Sequence, residues 1–133
     1  MRTKAGLRST AQDRRASHPP LNLDAQVAEL VRGARRVAAY AAIGHEPQVT
    51  VQPGWLLPVV LPDLDLDWAE YDGTHAVSAK GLHEPVGGRL GVDAIASCDL
   101  VLVPALLVDR TGTRLGKGGG CYDRALLRAT GLT

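Results

Sequence analysis

The chain has 133 residues, 45% of them hydrophobic and 22% charged, with a formal net charge of +1. This composition is typical of a soluble globular domain and excludes a disordered chain. A charge this close to zero predicts no nucleic-acid partner and no polybasic membrane anchor. The length predicts one domain over residues 1–133 with a core of its own.

The hydrophobic pattern predicts neither a membrane span nor a secretion signal. No apolar run approaches the roughly 18–20 residues that cross a bilayer, and a polar start, Met1 to Lys4, does not open a signal peptide. Cys98 and Cys121 lack the spacing of a metal site, which favours a reduced, cytoplasmic protein.

Two helices are predicted near the N-terminus. Lys4 to Arg15 forms a basic helix with Leu7 and Ala11 on one face and its arginines in solvent, and Pro19-Pro20 keeps it from continuing. The second helix is predicted from apolar residues at helical spacing: Val27, Leu30, Val31 and Ala34. Asn22 or Asp24 is placed to cap it.

Two apolar runs then predict strands. The continuous run 37–43 suits a buried strand of a parallel sheet and ends in the loop 44–47. The run 55–62 is a second strand, in which Pro58 indicates an edge or a bulge.

An alternating segment predicts a half-buried strand. Leu64, Leu66 and Trp68 alternate with three aspartates, Asp63, Asp65 and Asp67. A metal site is the competing interpretation, but no glycine turn folds these carboxylates around an ion, so we expect a solvated row. Asp72-Gly73 then favours a hairpin whose returning strand is 76–79.

The C-terminal third contains the strongest buried-strand run, 100–104, and a final helix. That helix is predicted over 123–129, with Gly131 as its C-cap. Helices that flank short apolar strands indicate an α/β class with a mostly parallel sheet and a β-hairpin insertion.

A glycine-dense loop links that strand to the final helix. Four of the five residues 116–120 are glycines, and Arg114 and Lys117 add positive charge. Backbone N–H groups that converge near a helix start can hold a phosphate. A structural glycine turn is the alternative, and the loop is neither a Walker A motif nor a convincing dinucleotide fingerprint.

The stretch Arg114 to Asp123, preceded by Val103-Pro104 and Asp109, resembles the signature of the 5-formyltetrahydrofolate cyclo-ligase (5,10-methenyltetrahydrofolate synthetase) family, with Cys121 in place of a tyrosine. Three further pieces occur in that family's order. They are the segment Lys4 to Arg8, the pair Tyr40 and Glu46, and Glu84-Pro85.

The resemblance implies a three-layer cyclo-ligase fold, similar to the NagB, RpiA and CoA-transferase folds. It implies a ligase of one-carbon metabolism that uses ATP and Mg2+ to convert 5-formyltetrahydrofolate to 5,10-methenyltetrahydrofolate. An N5-iminium phosphate forms, N10 closes the ring, and ADP and phosphate are released. The expected assembly is a monomer or weak homodimer with a small-molecule substrate, no nucleic acid and no membrane.

The resemblance also assigns roles to residues. Arg114 and Lys117 are the expected catalytic cations, and Asp123 is the expected magnesium ligand. The substrate would contact Tyr40, Ala41, Glu46, Glu84 and Tyr122. The nucleotide would contact two segments: Lys4, Ala5, Gly6, Leu7 and Arg8, and then Arg114, Leu115, Gly116, Lys117, Gly118, Gly119, Gly120, Cys121 and Tyr122.

Without the resemblance, simpler interpretations stand beside these roles. Lys4 and Arg8 would lie on a solvated helix face, and Glu46 would be a loop residue. Asp123 would be an acidic residue in a first helical turn, where its charge interacts favourably with the helix dipole. Cys121 alters packing near the formyl group. The family continues beyond the glycine-loop helix, so we expect the domain to be C-terminally incomplete. A catalytically impaired binding protein, a truncated fragment and an interaction domain remain alternatives.

Overall fold

A four-stranded sheet with helices on both faces forms the centre of the computed structural model, which describes residues 3–17, 19–78, 81–105, 107–108, 110, 113–116 and 120–133. The described helices are α1 (Lys4–Ala16), α2 (Asp24–Val31), a 3₁₀ helix (Val92–Ser97) and α3 (Cys121–Leu126). The described strands are β1 (Val37–Ala38), β2 (Leu56–Val60), β3 (Leu66–Glu70), β4 (His75–Val77), β5 (His83–Pro85), β6 (Leu100–Val101), β7 (Leu107–Val108) and β8 (Arg114–Leu115).

The central sheet has the order β3-β2-β1-β6 and is mixed. β1 pairs in parallel with β2 and β6, whereas β3 runs antiparallel to β2. The predicted α/β class with a mostly parallel sheet is therefore confirmed. The first strand is shorter than the predicted run 37–43, because paired backbone ends at Ala38 although burial continues to Tyr40.

Alternate residues of the short strands face two separate cores, which makes the fold three-layered. One core packs α2 against one face of the sheet, through residues that include Val27, Val37, Leu57 and Leu100. The other packs the 3₁₀ helix and α3 against the opposite face, through residues that include Ala38, Leu56, Ile95, Val101 and Ala125. Burial on both faces explains why these strands are continuously apolar in sequence.

Pro58 lies within β2, a strand with neighbours on both sides. Hydrogen bonds from Tyr71 N to Trp55 O (2.8 Å) and from Leu61 N to Asp65 O (2.9 Å) mark the bonded positions of the antiparallel ladder with β3. Pro58 falls between them, opposite Trp68, at a position that gives no hydrogen bond to β3. Its missing N–H faces the side where pairing with β1 has already ended at Leu56.

The hairpins differ from the prediction. β4 pairs with β5, not with β3 as the Asp72-Gly73 turn suggested. Of the predicted returning strand 76–79, Ala79 lies outside the described residues. The simple succession of strand, loop and helix near the glycines is also wrong, because β7 and β8 form a two-stranded hairpin between β6 and α3.

The predicted row of solvent-facing aspartates is wrong at Asp65 and also at Asp67, which is half-buried and accepts from Gly91 N at 2.8 Å. Leu64 has a positive φ of 68°, so the chain turns there and β3 begins only at Leu66. Asp65 is only 8% exposed, and its carboxylate is paired with Arg128. The predicted alternation fails because Leu64 and Asp65 lie in a turn, and the strand begins only after them.

The second helix begins one residue later than a cap at Asn22 would require and one residue earlier than a cap at Asp24 would require. Its cap position is Leu23, while Asn22 Oδ1 accepts from Asp24 N at 3.0 Å. The Asp24 carboxylate instead accepts from Thr50 N at 2.7 Å and from Thr50 Oγ1 at 2.6 Å. Leu30, predicted on the apolar face, is exposed.

The C-terminal segment packs against β6. α3 begins at Cys121 and has Leu127 as its C-cap, so Gly131 is not the cap. A Cβ at Gly131 would collide with the backbone of Cys98 and Asp99, which explains the need for glycine there. Leu132 then bridges to β6, with Val101 N donating to Leu132 O at 2.7 Å.

Candidate functional site

A cleft of about 750 Å³ lies where the parallel strands end. Its walls come from α1, from the segments after β1 and β6, from β2, and from the β8-to-α3 region. In open α/β sheets, ligands bind at the carboxyl ends of strands because loops from several strands meet there. The cleft is within the 300–1,000 Å³ range typical of small-molecule sites.

One wall of this cleft is cationic. α1 contributes Lys4 and Arg8, which are one helical turn apart and both line the cavity. β8 contributes Arg114, which also lines the cavity. Arg8 Nε donates to Gly116 O at 2.9 Å, so α1 is tied directly to the beginning of the glycine loop.

Arg114 also contacts the first turn of α3. Its guanidinium Nη2 is 3.2 Å from Asp123 Oδ1, and its Cζ lies 5.6 Å from the centroid of the Tyr122 ring. A guanidinium over a ring face is attracted by the ring quadrupole. Arg114 is thereby oriented by two residues that themselves line the cleft.

The opposite part of the cleft combines apolar surface with a buried acid. Glu46 is 6% exposed, and its Oε1 accepts from Ile43 N at 3.0 Å. Tyr40 donates from its hydroxyl to Pro47 O at 2.7 Å, which fixes the ring beside this loop. Gly44, with φ of +55°, allows the reversal that returns Glu46 towards the sheet.

Burial and the nearby Glu46 carboxylate raise the pKa of both cleft tyrosines. Desolvation is the larger cause for Tyr40 and for Tyr122, and Glu46 adds to each. The positive charges of Arg15 and Arg114 oppose these shifts. Both phenols consequently remain neutral at physiological pH and can donate hydrogen bonds beside an acceptor carboxylate.

Most predicted site residues in the described part of the chain line this one cleft. They are Lys4, Leu7, Arg8, Tyr40, Ala41, Glu46, Arg114, Leu115, Gly116, Gly120, Cys121, Tyr122 and Asp123. Four other residues named from the sequence lie outside the described residues: Asp109, Lys117, Gly118 and Gly119. Segments up to 119 positions apart in sequence thus converge on a single cavity.

Three predicted residues are not among the cleft-lining residues. Ala5 and Gly6 belong to α1, where Gly6 N donates to Thr3 Oγ1 at 3.0 Å and completes the helix cap. Glu84 Oε2 accepts from Val60 N at 3.0 Å. That contact satisfies a β2 donor on the side that β1 no longer covers, so the described role of Glu84 is to hold the end of β2.

Several cleft residues were not identified from the sequence. Arg15 was expected in solvent, but it is half-buried, lines the cleft and donates to Ala105 O. Its spacing of seven residues from Arg8 is two helical turns, a signal that could have placed both on one face. The remaining members are mainly apolar or carry no recognisable motif: Ile43, Pro58, Val60, Leu66, Leu82, His83, Pro104, Ala105 and Thr113.

Asp123 is the exposed one of the two described carboxylates that line the cleft, since Glu46 is buried. Its side chain is 79% exposed and has one described ion-pair partner, Arg114. The described residues contain no group of three or more His, Cys, Asp or Glu side chains that could hold a metal by themselves. Both cysteines are free thiols.

Comparisons with known proteins identify the family of the chain. The chain matches the model of the 5-formyltetrahydrofolate cyclo-ligase family over residues 2–133. It is similar to a 5-formyltetrahydrofolate cyclo-ligase from Mycolicibacterium smegmatis, with 37% identity over an alignment length of 150 that covers 96% of this chain and 77% of the relative.

Two solved structures have a similar fold. The 5,10-methenyltetrahydrofolate synthetase of Aquifex aeolicus superposes with a TM-score of 0.71 and 25% identity, covering 96% of this chain and 74% of its own. That of Mycoplasma pneumoniae gives 0.69 and 18%, covering 97% and 80%, and supports the fold alone. Among the described residues, no helix has the length and hydrophobicity needed to cross a membrane.

Proposed function

The chain belongs to the 5-formyltetrahydrofolate cyclo-ligase family, an enzyme family of ligases, and on that premise we propose that it converts 5-formyltetrahydrofolate to 5,10-methenyltetrahydrofolate with ATP and Mg2+. The setting we propose is the cytoplasm, where the two free thiols stay reduced. The observation that carries the proposal is the joining of a cationic wall and a buried carboxylate in one cleft.

The proposed reaction has two stages. The N5-formyl oxygen attacks the γ-phosphorus and ADP leaves, which gives an N5-iminium phosphate. N10 then adds to the formyl carbon and loses its proton. The C–O bond to phosphate breaks, phosphate leaves, and the methenyl bridge forms. Catalysis of such a transfer depends mainly on positioning and on neutralising charge on phosphoryl oxygens.

The cationic wall suits the nucleotide. Lys4 and Arg8 come from α1, and Arg114 comes from β8, so two elements supply positive charge to the cavity. Gly116 and Gly120 bring backbone close to the cavity without side chains. Charge-assisted hydrogen bonds of Arg and Lys to phosphate are short and about twice as strong as neutral ones.

The part of the cleft around Glu46, Tyr40, Ala41 and Pro58 suits the folate. A pterin ring presents N–H donors along one edge, and the buried Glu46 carboxylate is an acceptor for such an edge. Tyr40, Ala41 and Pro58 provide the flat and small surfaces against which a ring can pack. Tyr122 lies near both Glu46 and Arg114, and we place it at the boundary of the two substrates.

The residues present fit magnesium through Asp123. Mg2+ is usually held by one or two carboxylates, with waters and substrate phosphates completing its shell. One exposed carboxylate beside Arg114 meets that need without an all-protein cage. Bound there, the ion would neutralise phosphate charge, while Arg114 keeps the carboxylate directed into the cleft.

The test is turnover of purified protein with ATP, Mg2+ and 5-formyltetrahydrofolate, followed by the absorbance of the methenyl product. Arg8→Ala should lower kcat/KM by about 10- to 100-fold, because a hydrogen bond to a charged group contributes about 1.5–3 kcal/mol. Arg14→Ala is the matched control, since Arg14 is an exposed cation of the same helix that does not line the cleft.

A folded wild-type protein without turnover would refute the proposal. Calorimetric titration then distinguishes the alternative of a catalytically impaired member, which binds ATP or the folate without forming product. Binding of neither ligand would reject both interpretations of the cleft.

A further inference from the structure

The helix that carries Cys121, Tyr122 and Asp123 into the cleft is short. α3 has six residues, and its cap position, Gly120, adopts a left-handed φ of 74° and makes no side-chain cap hydrogen bond within the described chain. Isolated helices of this length are unstable in water. The placement of its first turn must therefore come from tertiary contacts.

The strongest of those contacts is a pair of charged side chains beyond the other end of α3. Arg128 Nη1 donates to Asp65 Oδ1 at 2.8 Å, and Arg128 Nη2 donates to Asp65 Oδ2 at 2.7 Å. This is the two-pronged arrangement that fixes a guanidinium in orientation as well as in distance. Asp65 Oδ1 also accepts from Leu66 N at 2.8 Å, so the carboxylate is held by the start of β3.

Neighbouring contacts seat the same helix on the same surface. Arg124 donates to Asp63 O, and Thr130 Oγ1 donates to Ala96 O at 3.0 Å. Ala125 is fully buried in the core that packs the 3₁₀ helix and α3 against the sheet. Cys121, Tyr122 and Leu126 pack against that core, so a shift at the anchored end is transmitted along the helix.

We propose that Asp65 and Arg128 are positioning residues, which hold the first turn of α3 at the cleft through their two-pronged contact. Arg128 follows Tyr122 by six residues, or about 9 Å along a helical axis. Neither residue lines the cleft. The consequence for catalysis rests on the proposed function, whereas the placement of the helix can be measured without it.

The two cysteines provide that measurement. Cys121 is the first residue of α3 and is partly exposed in the cleft, whereas Cys98 is 1% exposed in the adjacent core. A thiol-specific disulfide reagent should react with Cys121 in a fast phase that Cys121→Ser abolishes. Cys98 reacts only when the core opens, so it reports global unfolding.

The test compares Asp65→Asn and Arg128→Lys with Asp93→Asn. Asp93 is an ideal control because its carboxylate is 3.5 Å from the same guanidinium yet 89% exposed. We expect the Cys121 rate to rise roughly threefold or more in the first two variants, while Cys98 stays slow, because the helix start is loosened locally. Asp93→Asn should leave both rates unchanged.

Unchanged Cys121 rates would overturn the inference, as would parallel increases at both thiols, which indicate lost stability alone. Arg128→Lys keeps the charge but not the two-pronged geometry, so it decides the matter if Asp65→Asn does not fold.

A second measurement addresses catalysis. We expect a raised KM for ATP and a raised KM for the folate in folded Arg128→Lys, because Cys121 and Asp123 face the nucleotide and Tyr122 lies at the boundary of the two substrates. If the variant has the same KM values as the wild-type protein and only a lower kcat, the change reflects a smaller folded fraction and contradicts the positioning role. An inactive wild-type protein would refute the proposed function, while the thiol result would still stand.

Discussion

Two of the arginine–aspartate pairs described around α3 differ in the number of their contacts and in the exposure of the aspartate. Arg114 and Asp123 meet in the cleft through one contact of 3.2 Å, and the Asp123 side chain is 79% exposed. Arg128 and Asp65 meet through two contacts of 2.7 and 2.8 Å, and the Asp65 side chain is 12% exposed. At the helix start the aspartate is in solvent and the arginine is 12% exposed, whereas in the enclosed pair beyond the helix end the arginine is 29% exposed and the aspartate is buried.

The difference indicates separate tasks. A single-contact pair whose carboxylate is in solvent contributes only about 0–1 kcal/mol, so a ligand can replace it at little cost. An enclosed two-pronged pair loses far more when one partner is removed, because the other charge remains without compensation. We infer that the cleft pair serves ligand binding and the enclosed pair serves the placement of the helix.

Arg114→Ala should give the largest effect and should separate these tasks. Removing one fixed donor from a site of developing charge costs about 10²–10³ in kcat. The free energy of unfolding should fall by less than about 2 kcal/mol, the sum of an ion pair whose carboxylate is in solvent and one cation–π contact. Steady-state kinetics measure kcat, and urea unfolding measures the free energy of unfolding. A large loss of stability with retained turnover would contradict the assignment of ligand binding to the cleft pair.

The enclosed pair predicts an acid-dependent loss of stability. Hydrogen bonds from Arg128, followed by that from Leu66 N, lower the pKa of Asp65 from 3.8 to about 2. The folded state therefore favours the ionised carboxylate, so this stabilisation is complete above the unfolded pKa and disappears as pH falls from about 4 towards 2.

Urea unfolding of wild-type protein and Asp65→Asn between pH 2 and 6 tests this dependence. Other aspartates with lowered pKa, such as Asp24 and Asp99, contribute equally to both proteins, so the difference between the two curves isolates Asp65. The gap should narrow as the solution becomes more acidic. A constant gap would show that the Asp65 charge is not what stabilises the fold.

Asp123→Asn should have the smallest effect on stability. Its carboxylate is in solvent, so the free energy of unfolding should change by less than about 1 kcal/mol. Affinity for ATP in the presence of Mg2+ should fall about tenfold or more, the loss typical of damaged metal sites. Titration without Mg2+ is the control, and an equal loss there would contradict a metal-binding role.

The sequence predicted the components of the cleft better than their arrangement. The motif from Arg114 to Asp123, with Lys4, Arg8, Tyr40 and Glu46, named residues that the structure brings to one cavity. The sequence did not predict the hairpin of β7 and β8, because strands of two residues are too short to show an alternation of apolar and polar side chains. Arg15 was missed because a lone cation on a basic helix indicates solvent unless its partner is known.

Asp65 shows why local patterns fail where distant segments meet. An aspartate that alternates with apolar residues indicates a solvated strand face, and that interpretation is correct for most such residues. Its partner Arg128 is 63 positions away, and nothing near Asp65 reveals it. Glu84 is similar, since its contact with Val60 N depends on where β1 stops pairing with β2.

The sequence by itself determined the α/β class, because apolar periodicity is a local property of the chain. Its resemblance to a known family then identified the family and most of the residues that line the cleft. Only the tertiary structure decided which charges are enclosed and which remain in solvent. That choice depends on contacts between α3, the turn before β3 and the strand ends, and the desolvation that separates Asp65 from Asp123 exists only once those segments have packed together.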